Sequence, residues 1–184
     1  MLDFTLSEDQ IKLRDRAREF AIREVLPAAW HYDEKDEIPL DILDRAFRAG
    51  IMNSDIPKKY GGLGYGLLEG ALLTEEIAAA CPGLATSIFD NSLGFEPLVI
   101  SDREALKEKY LPKIAKENKR ICFATSEPTM GSDVAGMLCR ATGDGDGYLL
   151  NGTKYWVTNG GVADYMTIFA TADPEKKHAG ICAF

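Results

Sequence analysis

The sequence has 184 residues, 46% of them apolar, with 21 Lys and Arg against 29 Asp and Glu, a formal net charge of −8. That composition supports a packed core and excludes a disordered chain, while the length allows one domain or one domain with part of another. The acidic balance argues against nucleic acid and against an anionic membrane surface as partners, and no apolar run is long enough to span a bilayer.

Ser7-Glu8-Asp9-Gln10 reads as a capping box. Behind it Leu13, Ala17, Phe20, Ala21 and Val25 recur at three- and four-residue steps, the signature of an amphipathic helix. Pro27 is expected to end or kink that helix. Pro39 opens a second, with Ile42, Leu43, Ala46 and Phe47 on its apolar side and Gly50 as its stop. After the glycine-rich "PKKYGGLGYG", a third helix is expected over about 67–80, ended by "CPG", and a fourth over about 84–100. Ser101-Asp102 reads as the cap of a fifth, carrying Leu106, Tyr110, Leu111 and Ile114.

After about Lys119 the pattern changes to short β-forming runs: "RICFAT", "GMLCRAT", "DYMTIFATA" and "AGICAF". "GDGDG" reads as a flexible turn, because an EF-hand needs spaced acids and a closing Glu. The Asn151-Gly152 pair inside "YLLNGTKYWVT" is a hairpin signal. The expected fold class is α+β: a helical domain over 1–119, then an antiparallel β-domain begun over 120–184. Phe184 falls inside what reads as a strand, so a partial chain is expected.

The cysteines, Cys81, Cys122, Cys139 and Cys182, form no CxxC pair and read as buried thiols. With only His31 and His178, a His-rich metal site and a Ser-His-Asp triad are both disfavoured. "MLDFTLSEDQ" lacks the basic-then-apolar order of a secretory signal and is too acidic for a transit peptide. The expected setting is cytoplasmic, or the mitochondrial matrix if a presequence has been removed.

The segment "SEPTMGSD", 126–133, is polar but has neither Lys nor Arg, and neither GxxxxGK[ST] nor GxGxxG occurs. It offers hydroxyl and main-chain donors at Thr125, Ser126, Gly131 and Ser132, which suit a neutral or partly charged ring bearing carbonyl oxygens. Trp156 and Thr158 stand two apart; on a strand they would share a face, indole beside hydroxyl, as a flat heteroaromatic requires. The pair alone reads first as a core indole and a surface threonine.

Together "LSEDQ", "GLGYGLLEGALLTEEIA", "NSLG", "KEKYLPKIA", "SEPTMGSDVAG" and "LNGTKYWVTNGG", in this order, resemble the N-terminal part of the acyl-CoA dehydrogenases, medium- and short-chain types most of all. The resemblance implies a helical domain, a middle β-domain and a C-terminal helical bundle, the last lying outside this sequence. It implies FAD as cofactor, an acyl-CoA substrate, electron-transferring flavoprotein as acceptor and a homotetramer. The family reaction is α,β-dehydrogenation of the thioester: a carboxylate takes the α proton and the β hydride goes to the flavin.

By the same resemblance, Phe123, Ala124, Thr125, Ser126, Gly131, Ser132, Trp156, Val157 and Thr158 contact FAD. Trp156 packs on the ring and Thr158 donates to its N5. Ser132 also nears the acyl-CoA, and "ATSIFDNSLG", with Ala85 and Phe89, lines the acyl pocket. Phe89 stands where medium-chain members often carry an acid and Ala85 where a bulkier polar residue is usual. Ser126, Thr129, Met130 and Phe123 also depart from the usual pattern. No catalytic base is assigned here; it is expected beyond Phe184, and Glu127 is expected to be a structurally paired loop residue. An oxidase or flavin monooxygenase on the same fold, or a non-catalytic partial subunit, are the alternatives.

Overall fold

The computed structural model describes residues 4–184. Six α-helices come first: α1 (Glu8–Phe20), α2 (Leu26–Lys35), α3 (Leu40–Arg48), α4 (Leu67–Ala80), α5 (Pro82–Ile100) and α6 (Glu104–Lys116). Five strands follow: β1 (Ile121–Ala124), β2 (Arg140–Asp144), β3 (Gly147–Asn151), β4 (Tyr165–Thr171) and β5 (Ile181–Ala183).

The capping box forms as expected: Gln10 N–H donates to Ser7 Oγ at 3.2 Å and Ser7 N–H to Gln10 Oε1 at 3.0 Å. Gln10 also donates to Glu69, whose other oxygen accepts from Gly66 N–H, so the starts of α1 and α4 are tied together. Pro27 does not end the helix. A π-helical turn over Ala21–Val25 bridges α1 and α2, with Leu26 N–H reaching the Ala21 carbonyl. The wider turn lets the chain pass a residue that has no N–H to give. Gly50, at φ +66°, follows α3 as expected. Ser101 differs: its hydroxyl donates to Leu98 O, and no side chain caps α6. It therefore closes α5 rather than opening α6.

The helices bury a core of Leu13, Phe20, Val25, Leu43, Ile77 and Ile88. A second cluster, Ile56, Phe95, Leu111, Ile114 and Ile121, joins α5 and α6 to β1. The amides of Asn53 and Asn91 make that joint specific. Asn53 donates to Ile114 O (3.1 Å) and accepts from Asn91 (2.9 Å), and Asn91 accepts from Ile121 N–H (3.2 Å). At Gly94 a Cβ would lie 2.9 Å from Ile121 O, so only glycine lets α5 lie this close to β1.

The sheet is mixed, which corrects the expectation of an antiparallel one. β4 is its centre: β1 pairs with it in parallel (Ile121↔Tyr165), β5 antiparallel, and β2 in parallel at Arg140↔Thr171. A parallel pair needs a long crossover, and the loop after β1 together with the β2–β3 hairpin provides it. That hairpin turns at Gly145-Asp146, inside "GDGDG", with Gly145 at φ +57° as a primed turn favours. The Asn151-Gly152 pair is not a turn. Asn151 ends β3, and Gly152 passes so close to the residue before β2 that a Cβ would meet Cys139 Cα at 2.6 Å. Among the described residues no helix is long and apolar enough to cross a membrane. Of the four free cysteines, Cys122 and Cys139 are buried and Cys81 half-buried, but Cys182 on β5 is exposed, against expectation.

Candidate cofactor site

β1 delivers Thr125 and Ser126 to a tight turn, Glu127 and Met130 exchanging main-chain hydrogen bonds at 2.9 and 3.1 Å. Glu127 is buried and organises the loop. Its carboxylate accepts from Leu138 N–H (2.8 Å), Cys139 N–H (2.9 Å) and Lys154 Nζ (2.9 Å). Burial pushes its pKa up, but the Lys154 ammonium and the two amides outweigh that and hold it below the usual value. A carboxylate so saturated is structural, as expected, and is no free base.

The missing cation comes from a distant segment. Lys154 Nζ also donates to Thr125 O at 2.8 Å, and Tyr155 N–H donates to Ser126 O at 2.9 Å. Residues 125–127 and 154–155 are thereby stitched side by side. Lys154 was not legible as part of this arrangement, because nothing in sequence spacing links it to the loop.

Trp156 and Thr158 do not lie on a strand, which corrects the shared-face argument. The stretch from Gly152 to Asp164 is irregular. Trp156 has φ +56°, an outlier for a bulky side chain, and is 83% exposed, touched edge-on by Tyr155 at 4.7 Å between ring centroids. Thr158 is half-buried. The next residue, Asn159, donates to Ser87 O of α5 at 2.8 Å, fastening this segment to the helical part.

Thr125 and Ser126 are half-buried, Gly131 and Ser132 exposed at the loop tip, and a Cβ on Gly131 would meet nothing within 4 Å. Among the described residues Thr125 Oγ1 is buried without a hydrogen-bond partner. Phe123 is half-buried against Phe169, ring centroids 4.9 Å apart, and Ala124 is buried. Val157 is half-buried and accepts from Gly160 N–H. On α5, Ala85 is buried in the helical core and Phe89 packs at its edge.

Thr125 and Ser126 are thus joined to residues 154–155 by one side-chain and one main-chain bond, and the Asn159 side chain ties the same segment to α5. An uncharged ring with acceptor atoms on its edge suits this set: an orphaned hydroxyl, open main chain and an exposed indole fixed by a strained backbone. Among the described residues no group of His, Cys, Asp and Glu could hold a metal ion. A groove of about 860 Å³ lies elsewhere, between α5–α6 and the β4–β5 side of the sheet, with Leu98, Leu106, Tyr110, Tyr148, Met166 and Phe184 in its wall. None of the residues expected to touch a cofactor or substrate lines it.

Residues 7–118 match the acyl-CoA dehydrogenase N-terminal domain and residues 122–184 the acyl-CoA dehydrogenase middle domain. A probable medium-chain specific acyl-CoA dehydrogenase 2, mitochondrial, of Caenorhabditis briggsae is 37% identical over 96% of this chain and 43% of its own length. Butyryl-CoA dehydrogenase of Megasphaera elsdenii superposes with a TM-score of 0.91 at 34% identity, covering 100% of this chain and 49% of that one. A glutaryl-CoA dehydrogenase of Mycobacterium smegmatis in complex with FADH2 gives a TM-score of 0.85 at 28% identity, over 97% of this chain and 45% of its own. The chain spans about half the length of these relatives. With both domain matches in order and helices and mixed sheet arranged alike, the chain belongs to the acyl-CoA dehydrogenase family.

Proposed function

We propose that this chain forms the helical domain, over 1–119, and the start of the middle domain, over 120–184, of an FAD-dependent acyl-CoA dehydrogenase. The reaction is α,β-dehydrogenation of an acyl-CoA thioester, with electrons passing on to electron-transferring flavoprotein. The observation that carries the reading is the joining of Thr125 and Ser126 to Lys154 and Tyr155, the residues that lead into Trp156–Thr158, with Thr125 Oγ1 buried and unpartnered.

When bound, FAD supplies the acceptor for the electron pair that leaves the acyl chain. Thr125 and Ser126 would hold its ring system with hydroxyl and main-chain donors, with Phe123 and Ala124 leading into them. Trp156 and Val157 would pack against the ring, and the Thr158 hydroxyl would donate to it. Gly131 and Ser132 leave open main chain and a hydroxyl toward the phosphates and the acyl-CoA. Phe89, at the edge of the helical core, would belong to the acyl-pocket wall, with Ala85 packed in the core behind it. Glu127 moves no proton; it holds the loop with Lys154 so that these donors are preorganised. The base that takes the α proton lies beyond Phe184. The complete enzyme is a homotetramer.

The complete enzyme, titrated with a panel of acyl-CoAs, should lose its visible flavin absorption with the cognate class. Residues 1–184 alone should retain FAD poorly and turn nothing over. A complete enzyme that stays colourless after reconstitution with FAD refutes the reading. Reduction of bound flavin by an acyl-CoA on the 184-residue chain refutes the placing of the base.

A further inference from the structure

Asp90 is 7% exposed, on the face of α5 that meets β1. Among the described residues its Oδ2 has no hydrogen-bond partner. Three neighbouring polar side chains on α5 have partners: Thr86 with Pro82 O, Asn91 with Asn53 and Ile121 N–H, Ser92 with Asp55. Asp55, also a buried carboxyl, has Ser92 as its donor. Among the described residues Asp90 Oδ2 is the unmet carboxylate oxygen among the buried atoms left without a partner.

Its position is informative. The charge of Asp90 reaches the Cys122 thiol on β1, one residue from Phe123. One turn back on α5, Ser87 O holds Asn159, next to Thr158. Phe89 is its neighbour in sequence. The orphaned carboxyl therefore stands where α5 meets β1, one turn from the point where Asn159 is anchored. Cys122 does not satisfy it: a thiol is a weak donor, and no hydrogen bond joins the two. A buried carboxyl without a donor is costly, and a bound molecule that brings the donor removes that cost.

Resting on the proposed function, we infer that Asp90 is a specificity-determining residue that accepts a hydrogen bond from the acyl group, so the preferred thioester carries a hydroxyl or amino substituent rather than a plain alkyl chain. A site with a buried acceptor rejects the analogue lacking the donor more strongly than an apolar pocket rejects one methylene.

The test uses the complete FAD-loaded enzyme and matched, non-reactive CoA thioethers that differ only in a hydroxyl or amino group replacing a methyl. Affinities are measured by calorimetry on wild type, Asp90→Asn and Asp90→Leu, with melting temperatures confirming that each is folded. Wild type should bind the best substituted ligand about tenfold or more tightly than its alkyl partner. Asp90→Leu should reverse that order, and the near-isosteric Asp90→Asn should keep a reduced preference because its carbonyl still accepts. Equal ratios in wild type and Asp90→Asn and Asp90→Leu, or a wild-type preference for the alkyl ligands as with a buried water on Asp90, overturns the inference while leaving the dehydrogenase reading intact. Failure of every thioether to bind the FAD-loaded wild type overturns both.

Discussion

Replacing Asp90 with asparagine tests whether this carboxyl is as isolated as the structure shows. Burial pushes its pKa from 3.8 up to about 6, with no hydrogen bond pulling it back. The folded state therefore holds the proton more tightly than the unfolded state. Below about pH 4 both states are protonated and the group is neutral with respect to stability. Between pH 4 and 6 the unfolded state ionises first, and stability falls as pH rises. The shift of about two units corresponds to a loss of about 3 kcal/mol, complete above pH 6. Asp90→Asn has nothing to ionise. Urea denaturation of both proteins across pH 4–8 should give difference curves in which the variant gains about 3 kcal/mol on wild type over that window. Asp41, Glu69, Glu104, Glu127 and Asp164 shift the other way, but they are common to both proteins and cancel. A flat difference curve would mean that Asp90 has a donor in the folded chain, and would refute the isolation argued from Oδ2.

Glu127→Gln should destabilise by about 3–5 kcal/mol, because it leaves the Lys154 ammonium, 9% exposed, without its carboxylate; denaturant midpoints check this. The Glu127 pKa is depressed, so its contribution is present above the unfolded value of 4.5 and is lost as pH falls through the lower folded value. Gly94→Ala would gain up to about 1 kcal/mol of helix propensity at an ordinary site. Here its Cβ meets Ile121 O at 2.9 Å, so thermal melts should show a net loss of about 1–3 kcal/mol. Trp156→Gly should leave chain stability within about 1 kcal/mol, since the indole is 83% exposed and glycine accepts φ +56°, yet weaken FAD retention by the complete enzyme about tenfold. Equal FAD retention in that variant would remove the indole from the site.

The helices were legible because their signals are local. The Ser7–Gln10 box, the apolar spacing of α3 and the "CPG" break before α5 each act within a turn or two of the residues that carry them. The sheet was less legible because its pairing is not local. The β1–β4 partnership joins Ile121 to Tyr165, and β-forming runs do not say which neighbour is parallel. "GDGDG" carried its own turn chemistry, whereas Asn151-Gly152 carried the same signal but was overruled by the approach of Cys139. At the candidate site, the hydroxyl donors stood out as a polar stretch without cations, and the motif order gave the family. Lys154, Asn159 and Asp90 did not stand out, because each acquires its role from a partner 27 or more residues away, or from having none.

The most direct measurement is a structure of the complete enzyme with FAD bound. The flavin ring should lie against the indole of Trp156, within on the order of 4 Å, with Thr125 or Ser126 donating to one edge and Thr158 to the N5 edge. A flavin seated in the groove lined by Leu98, Tyr110 and Met166, or anywhere that leaves Thr125 Oγ1 unpartnered and Trp156 in solvent, would contradict the account.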